Sequence, residues 1–371
     1  MKVFIKTFIA VFVLLIAQNV FAVKQVDIFT QSILVEKNAN ATRISSVRKQ
    51  AMLQVLQSAS LIQNIDKIAL IRVGLLKHKQ YIASEKVNRS DEVFISVIGQ
   101  EIPMIELEIQ FDSKKINQLL LQAKVSTLDA KRPETIMIVM VQHKDGSTNI
   151  LSRKDLYVEA GLDVPFYESI TQQFEKEANT LQLPIVWPMM DSQDLYFFDQ
   201  SDFWQVDKNS IINFAKRYSV QVILIARIKE HDDGRFIGEW NVLDLGQPKV
   251  QYYDSLTEFT GAGLKQLAQS VMQQYGINPN DKKDERVLIR MNQIKSITEF
   301  HQNEVFFNRI SGVESVNALN VNGFEVTYLL QLGVSQKQFL SSLKLNDNIE
   351  FLIEDELRRP LMIDVIINDF E

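Results

Sequence analysis

Asp191 and Asp194 stand at the head of a stretch that also holds Asp199, Asp202 and Asp207, interleaved with Tyr196, Phe197, Phe198, Phe203 and Trp204. Two carboxylates at close spacing can divide the roles of general acid and general base, and flat aromatic side chains can stack a ligand or anchor a protein partner. Arg217, Tyr218 and Arg227 follow in the same segment. Arg217 is expected to complement the C-terminal dipole of the helix it ends, and Tyr218 to complete that helix's apolar face. Arg227 interrupts an apolar strand, either at its end or paired with a loop aspartate. The binding candidates are therefore Asp191, Asp194, Phe198, Trp204, Arg217, Tyr218 and Arg227. A second reading gives the loop residues structural work, the aspartates capping turns and the aromatics covering a sheet edge.

Other chemistries find less support. His78, His143, His231 and His301 are scattered along the chain, whereas a histidine metal site needs close spacing or convergence. The one local acid and imidazole cluster, His231 with Asp232 and Asp233, reads as a solvated turn. The chain has no cysteine, which removes disulfides, thiolate metal sites, a catalytic thiol and a lipid-modified cysteine at a cleavage point. The nucleophile elbow, the dinucleotide-binding glycine motif, the phosphate loop and the calcium loop are all absent. Glycine, needed where backbone approaches a nucleotide closely, occurs only 13 times in 371 residues. A net charge of −6 lacks the basic excess that nucleic acid requires. No catalytic residue, metal or cofactor is expected.

The residues around the loop supply its frame. Leu183, Ile185 and Val186 form a brief apolar run confined by Pro184 and Pro188, because proline cannot donate a ladder hydrogen bond. Ile211, Phe214, Ala215 and Tyr218 recur with the spacing of one helix face, and Asp207 can cap that helix. Val220 and the run Val222-Ile223-Leu224-Ile225 read as a strand covered on both faces. Strand, helix and strand in this order place both strands in one sheet. The loop of residues 187–206 then follows a strand end, where α/β sheets commonly bind ligands.

Lys2 and Lys6, an apolar core from Phe8 to Ala17, and Val20-Phe21-Ala22 have the pattern of a secretory signal peptide, residues 1–22, cut after Ala22. The core is shorter than the roughly 20 residues that span a bilayer, and no later stretch qualifies. The expectation is a periplasmic protein, not a lipoprotein, with no transmembrane segment in its mature chain. Three units follow. The first, an N-terminal α+β domain over residues 23–130, has a strand at 26–35, helical stretches at 43–59 and 65–82, a strand pair at 93–98 and 104–111, and a helix at 116–123. Lys131-Arg132-Pro133 marks a boundary. The second, residues 131–276, is a central α/β sandwich on a mixed sheet, and a polar linker covers residues 277–284. The third, residues 285–371, is a ferredoxin-like βαββαβ domain, with capping boxes at Ser296-x-x-Glu299 and Ser335-x-x-Gln338 and a hairpin at Asn322-Gly323. The fold class is α/β (α+β) and multidomain.

Arg132-Pro133, Leu183-Pro184 with Pro188, Asp191 and Asp194, Arg217-Tyr218 leading into Val222-Ile223-Leu224, Arg227, and Trp240 together resemble an exported proteobacterial family catalogued as domain of unknown function twenty sixty-six. The likeness covers most of the mature chain. Ser219 stands where a small glycine is expected, and Phe236 where a tryptophan is common. The central unit is distantly similar to α/β domains of periplasmic envelope factors, such as the amino-terminal domain of the Tol-Pal translocation protein and the outer-membrane activators of peptidoglycan synthases. In those, a strand, helix, strand unit supports protein contacts. The resemblance implies a location and an architecture, not a reaction. The expected function is a non-enzymatic periplasmic protein of the cell envelope that binds another envelope protein through its aromatic loop. The alternatives are a binding protein for a small molecule or glycan, and a hydrolase using the loop aspartates. Exposed Phe198 and Trp204 would favour either binding reading, and a deep pocket walled by Asp191, Asp194 and Arg227 would favour the hydrolase.

Overall fold

The computed structural model describes residues 27–96, 99–128, 131–152, 164–230, 235–244, 250–278, 285–310, 312–346, 349–355 and 360–367. The segment expected to be a signal peptide, the His231 cluster and positions 279–284 of the expected linker lie outside the described residues. The protein is mixed α and β, with three sheets. Among the described residues no helix is long and apolar enough to cross a membrane.

In the first unit β1 (Thr30–Glu36), β2 (Ile82–Ile95) and β3 (Glu101–Phe111) form an antiparallel sheet in the order β1-β3-β2. Helices α1 (Ala41–Ser60), α2 (Ala69–Leu76) and α3 (Ser113–Gln122) cover one face. On α1, Val47, Ala51, Val55 and Ala59 recur every fourth residue and pack in one core with Leu107, Ile109 and Phe111 of β3. The strand expected from residue 93 begins at Ile82 instead. Residues 82–92 carry Glu85, Lys86, Arg89, Asp91 and Glu92, the charged dress of a solvated edge strand, which hides the alternation that marks a strand.

The central unit comprises β4 (Thr135–Gln142), β5 (Thr148–Ile150), α4 (Val164–Thr180), β6 (Ile185–Val186), α5 (Ser192–Phe197), α6 (Gln200–Gln205), α7 (Lys208–Ala215), β7 (Val222–Glu230), β8 (Phe236–Val242), β9 (Gln251–Tyr253) and α8 (Leu256–Tyr275). The sheet is mixed, in the order β5-β4-β7-β8-β9, with β6 beside β4. β4, β6 and β7 run parallel, and the other pairs are antiparallel. Every residue of β4 from Thr135 to Val141 is buried. Its odd-numbered side chains Met137 and Val139 join Leu224, Ala226 and Trp240 in a core with α4 and α8. Its even-numbered Ile136, Ile138 and Met140 join Ile225 in a second core with Phe203 of α6 and Ile211 and Phe214 of α7. The segment expected to be a loop at 187–206 thus holds two short helices. At six residues each they have no repeating apolar face to read.

The third unit contains β10 (Glu285–Met291), α9 (Ile297–Arg309), β11 (Val313–Asn322), β12 (Glu325–Leu332), α10 (Gln336–Leu343), β13 (Ile349–Asp355) and β14 (Leu361–Ile367). The β11–β12 hairpin turns at Gly323-Phe324, one residue beyond the expected Asn322-Gly323, because Asn322 still pairs with Glu325. The sheet order is β11-β12-β10-β14-β13, so the expected βαββαβ pattern is exceeded by one strand. β14 pairs parallel to β10 and displaces β13 to the edge. β14 takes the inner position because its residues from Leu361 to Val365 are all buried. Ser335 and Gln338 form a complete capping box. At Ser296 only half forms, because the Glu299 carboxylate accepts from Lys295 N at 2.7 Å rather than from the cap residue itself.

The boundaries expected at 131–133 and 277 are packed junctions. Thr127 and Ile277 exchange backbone hydrogen bonds of 3.0 and 2.7 Å, and Leu128 N donates to Ala59 O at 2.8 Å. The buried Arg132 donates from Nη2 to Ser58 O at 2.8 Å, and Gln338 Nε2 donates to Gly276 O at 3.0 Å. Leu61, Leu128 and Leu345 enter the central core from the flanking units.

On the α8 face, Trp240 is buried and donates from Nε1 to Phe259 O at 2.9 Å. A Cβ on Gly263 would lie no further than 2.7 Å from its three nearest atoms, all of the Trp240 ring. Gly263→Ala gains about 1 kcal/mol of helix propensity but overpacks a pinned indole at up to about 3 kcal/mol. The variant is expected to lose about 2 kcal/mol in urea unfolding, and a stability equal to or above the parent's would show that the ring yields.

Candidate functional site

The chain leaves β6 and reaches Asp191, whose Oδ1 accepts from the backbone N–H groups of Gln193 (3.1 Å) and Asp194 (3.0 Å) and so caps α5. That first turn carries Asp194 inward, where its side chain is fully buried. Arg217 and Tyr218 arrive from the 3-10 turn that ends α7. Arg217 Nη1 donates to Asp191 Oδ1 at 2.6 Å and to Asp194 Oδ1 at 2.8 Å, and Nη2 donates to Asp191 Oδ2 at 3.0 Å. The Tyr218 hydroxyl donates to Asp194 Oδ2 and accepts from Met189 N at 2.8 Å, while Met190 N donates to the same Oδ2 at 2.8 Å. Arg217, expected to answer a helix dipole, instead clamps two carboxylates. Tyr218 is buried as expected, but its hydroxyl belongs to this knot. Ser219, in the place of an expected glycine, has φ of 52°, the left-handed conformation that glycine adopts without a Cβ penalty.

The electrostatics follow from this geometry. The Arg217 side chain, with the Asp194 backbone N–H second, holds the Asp191 carboxyl well below its ordinary value of 3.8. Asp191 in turn pushes the Arg217 guanidinium up. Burial first, and then the hydrogen bond to Asp194, raises the Tyr218 hydroxyl. Asp191 is therefore too acidic to donate a proton at neutral pH, and both Asp194 oxygens already accept hydrogen bonds.

A second polar cluster lies elsewhere on the same layer. Arg227 is neither at the end of β7 nor paired with an aspartate. Its cross-strand neighbour is Glu239 of β8, whose Oε1 accepts from Arg227 Nε at 2.7 Å and also from Nη2. Arg227 Nη1 donates to the Trp204 carbonyl, and the guanidinium lies over the Trp204 ring, 5.8 Å from its centroid. Glu239 escaped sequence reading because a cross-strand partner is known only once the register is. Its signal was being the one acidic residue in the β8 segment FIGEWNV.

The seven predicted residues thus separate. Asp191, Asp194, Arg217 and Tyr218 come together just before β7, whereas Arg227 lies five residues along that strand from Val222, about 16 Å further on, with Trp204 of α6 packed on it. Arg227 is not brought to Asp191 and Asp194. Phe198 and Trp204 are half-buried, and Phe198 packs edge-to-face on Phe203 at 4.8 Å. The side chains that stand out are Leu195 (58% exposed), Tyr196 (83%) and Phe197 (44%) of α5. The sequence points to the loop aromatics as a surface, but it singles out Phe198 and Trp204 from them and leaves Leu195 unnamed, because α5 shows no period. Among the described residues no group of three histidine or acidic side chains is placed to hold a metal ion.

Arg217→Met is expected to cost about 3 kcal/mol in chemical denaturation, because it strands a buried carboxylate without its cation; a loss within error would mean that Asp194 stays satisfied without the guanidinium. Asp191→Asn keeps the helix cap but removes the charge. Since the folded carboxyl is depressed, the unfolded chain takes up the proton first as pH falls. The parent's advantage over Asp191→Asn is full at neutral pH and declines below about pH 4. Urea midpoints at neutral pH and near pH 3 check this, and a gap that does not narrow would contradict the pairing. The chain matches no protein-family model, no curated protein sequence and no solved structure with which it was compared.

Proposed function

We propose that the chain is an exported, non-enzymatic protein of the cell envelope that works in the periplasm and binds another envelope protein through α5. One observation carries this reading: Leu195, Tyr196 and Phe197 face solvent from a helix whose base is tied by Asp191 and Asp194 to Arg217. Tyr196 and Phe197 meet edge-to-face at 5.0 Å. Adjacent aromatic side chains on a rigid support are the anchors protein interfaces favour, since little side-chain freedom remains to be lost on binding.

The location rests on the segment from Lys2 to Ala22 and on the resemblance to the exported family. The architecture proposed with it is a central α/β unit between an N-terminal α+β unit and a C-terminal ferredoxin-like unit carrying one additional strand. The hydrolase alternative loses support from the Asp191 carboxyl, which Arg217 keeps ionised, and from Asp194, which is enclosed.

Two measurements test the reading. N-terminal sequencing of the protein recovered from the periplasm of proteobacterial cells is expected to start at Val23, and retention of residues 1–22 would count against export through a cleaved signal. A photoreactive residue at Tyr196 is expected to capture a discrete protein partner that the same probe at the exposed Lys265 of α8 does not. Identical adducts at both positions, or none at Tyr196, would remove α5 as the docking face.

A further inference from the structure

We propose that the cleft between α6 and the β4–β5 hairpin is a binding site for a neutral pyranose saccharide, separate from the α5 face. The cleft has a volume of about 380 Å³ and is lined by Gln142, Thr148, Ser201, Trp204 and Gln205. Gln142 ends β4 and faces Thr148 of β5 as its cross-strand partner. Ser201, Trp204 and Gln205 come from α6, which is anchored over the same sheet by the buried Phe203. The position is the carboxyl end of a parallel strand, where α/β sheets leave a crevice for ligands.

The lining chemistry names the ligand class. Among the described residues it consists of one indole, two carboxamides and two hydroxyls, with no charged side chain. A carboxamide both donates and accepts, as each sugar hydroxyl does, and an indole offers a flat apolar face to the C–H side of a pyranose ring. Among the described residues the Gln142 carboxamide and the Trp204 Nε1–H have no hydrogen-bond partner, which leaves them for a ligand. Arg227, the cation packed on the indole, has its charge answered by Glu239. An anionic ligand therefore meets no uncompensated positive charge from it.

The site is also held in shape. Arg227 fixes the Trp204 backbone through its carbonyl, and Gln205 Nε2 donates to Ser201 Oγ at 3.0 Å, so part of the ordering cost of binding is already met. The volume is at the low end of the roughly 300–1,000 Å³ of small-molecule sites, which suits one or two pyranose rings.

The test is saturation-transfer NMR on the full mature protein with maltose, cellobiose and N,N′-diacetylchitobiose as probes, each titrated to about 10 mM. At least one is expected to bind saturably with a Kd of about 0.1–1 mM. Gln142→Ala and Trp204→Phe, the latter keeping an aromatic ring against the core, are each expected to weaken it about tenfold. Tyr196→Ser, on the α5 face, is expected to leave it unchanged. The proposal is overturned if none of the three sugars binds saturably, or if binding survives both cleft variants. It is equally overturned if a proline-rich peptide occupies the cleft while the sugars do not, which would make it a peptide groove.

Discussion

The residues of β4 from Thr135 to Val141 are all buried, so the strand can exist only between two apolar layers. Burying an aliphatic or aromatic side chain is worth about 1.5–3 kcal/mol, and β4 and β7 together direct such side chains to both faces of the sheet. One face receives the long helices α4 and α8. The other must be covered by the chain between β6 and β7, which does so with three short helices that bring Phe203, Ile211 and Phe214 onto Ile136, Ile138 and Met140. Each short helix begins with backbone N–H groups that have no partner inside the helix. Asp191, Asp199 and Asp207 each cap one of them. The acidic character of this stretch is thus a consequence of covering a sheet face with short helices.

That arrangement creates a second demand. Asp194 is carried into the interior by the turn that Asp191 caps, and a buried carboxylate is tolerated only when paired and hydrogen-bonded. Arg217, Tyr218 and the Met190 N–H meet that need. The helix they secure can then hold Leu195, Tyr196 and Phe197 in solvent without a core of its own. Further along β7, Arg227 and Glu239 do the same for α6, holding its C-terminal end through the Trp204 carbonyl and ring. The surface proposed to meet a protein and the cleft proposed to hold a sugar thus rest on two separate ion-pair clamps beneath one helical layer.

The three sheets are not independent beads. Arg132 reaches from the start of the central unit to the Ser58 carbonyl near the end of α1, and the Thr127–Ile277 bridge ties the exit of the first unit to the exit of the second. Leu345 enters the central core from just beyond α10, next to Leu61 and Leu128. Apolar side chains shared across the junctions oppose separation of the units by the same burial that holds each core together.

Local rules made much of this legible in the sequence alone. The β-branched run of β7, Asp207 before the stripe of Ile211 and Phe214, a hairpin turn beginning at Asn322-Gly323 and the Ser335 capping box each depend on neighbours a few residues away. Tertiary structure decided the rest. It turned Phe198 and Trp204 onto the sheet and left Tyr196 and Phe197 in solvent, a choice set by which face of the sheet lacked a cover. Whether Arg217 met a dipole or two carboxylates, and whether Arg227 met an aspartate or Glu239, depended on strand order and register. So did the inner place of β14 beside β10. Register and order are fixed by contacts between residues far apart in the chain, and no period or spacing within one segment carries that information.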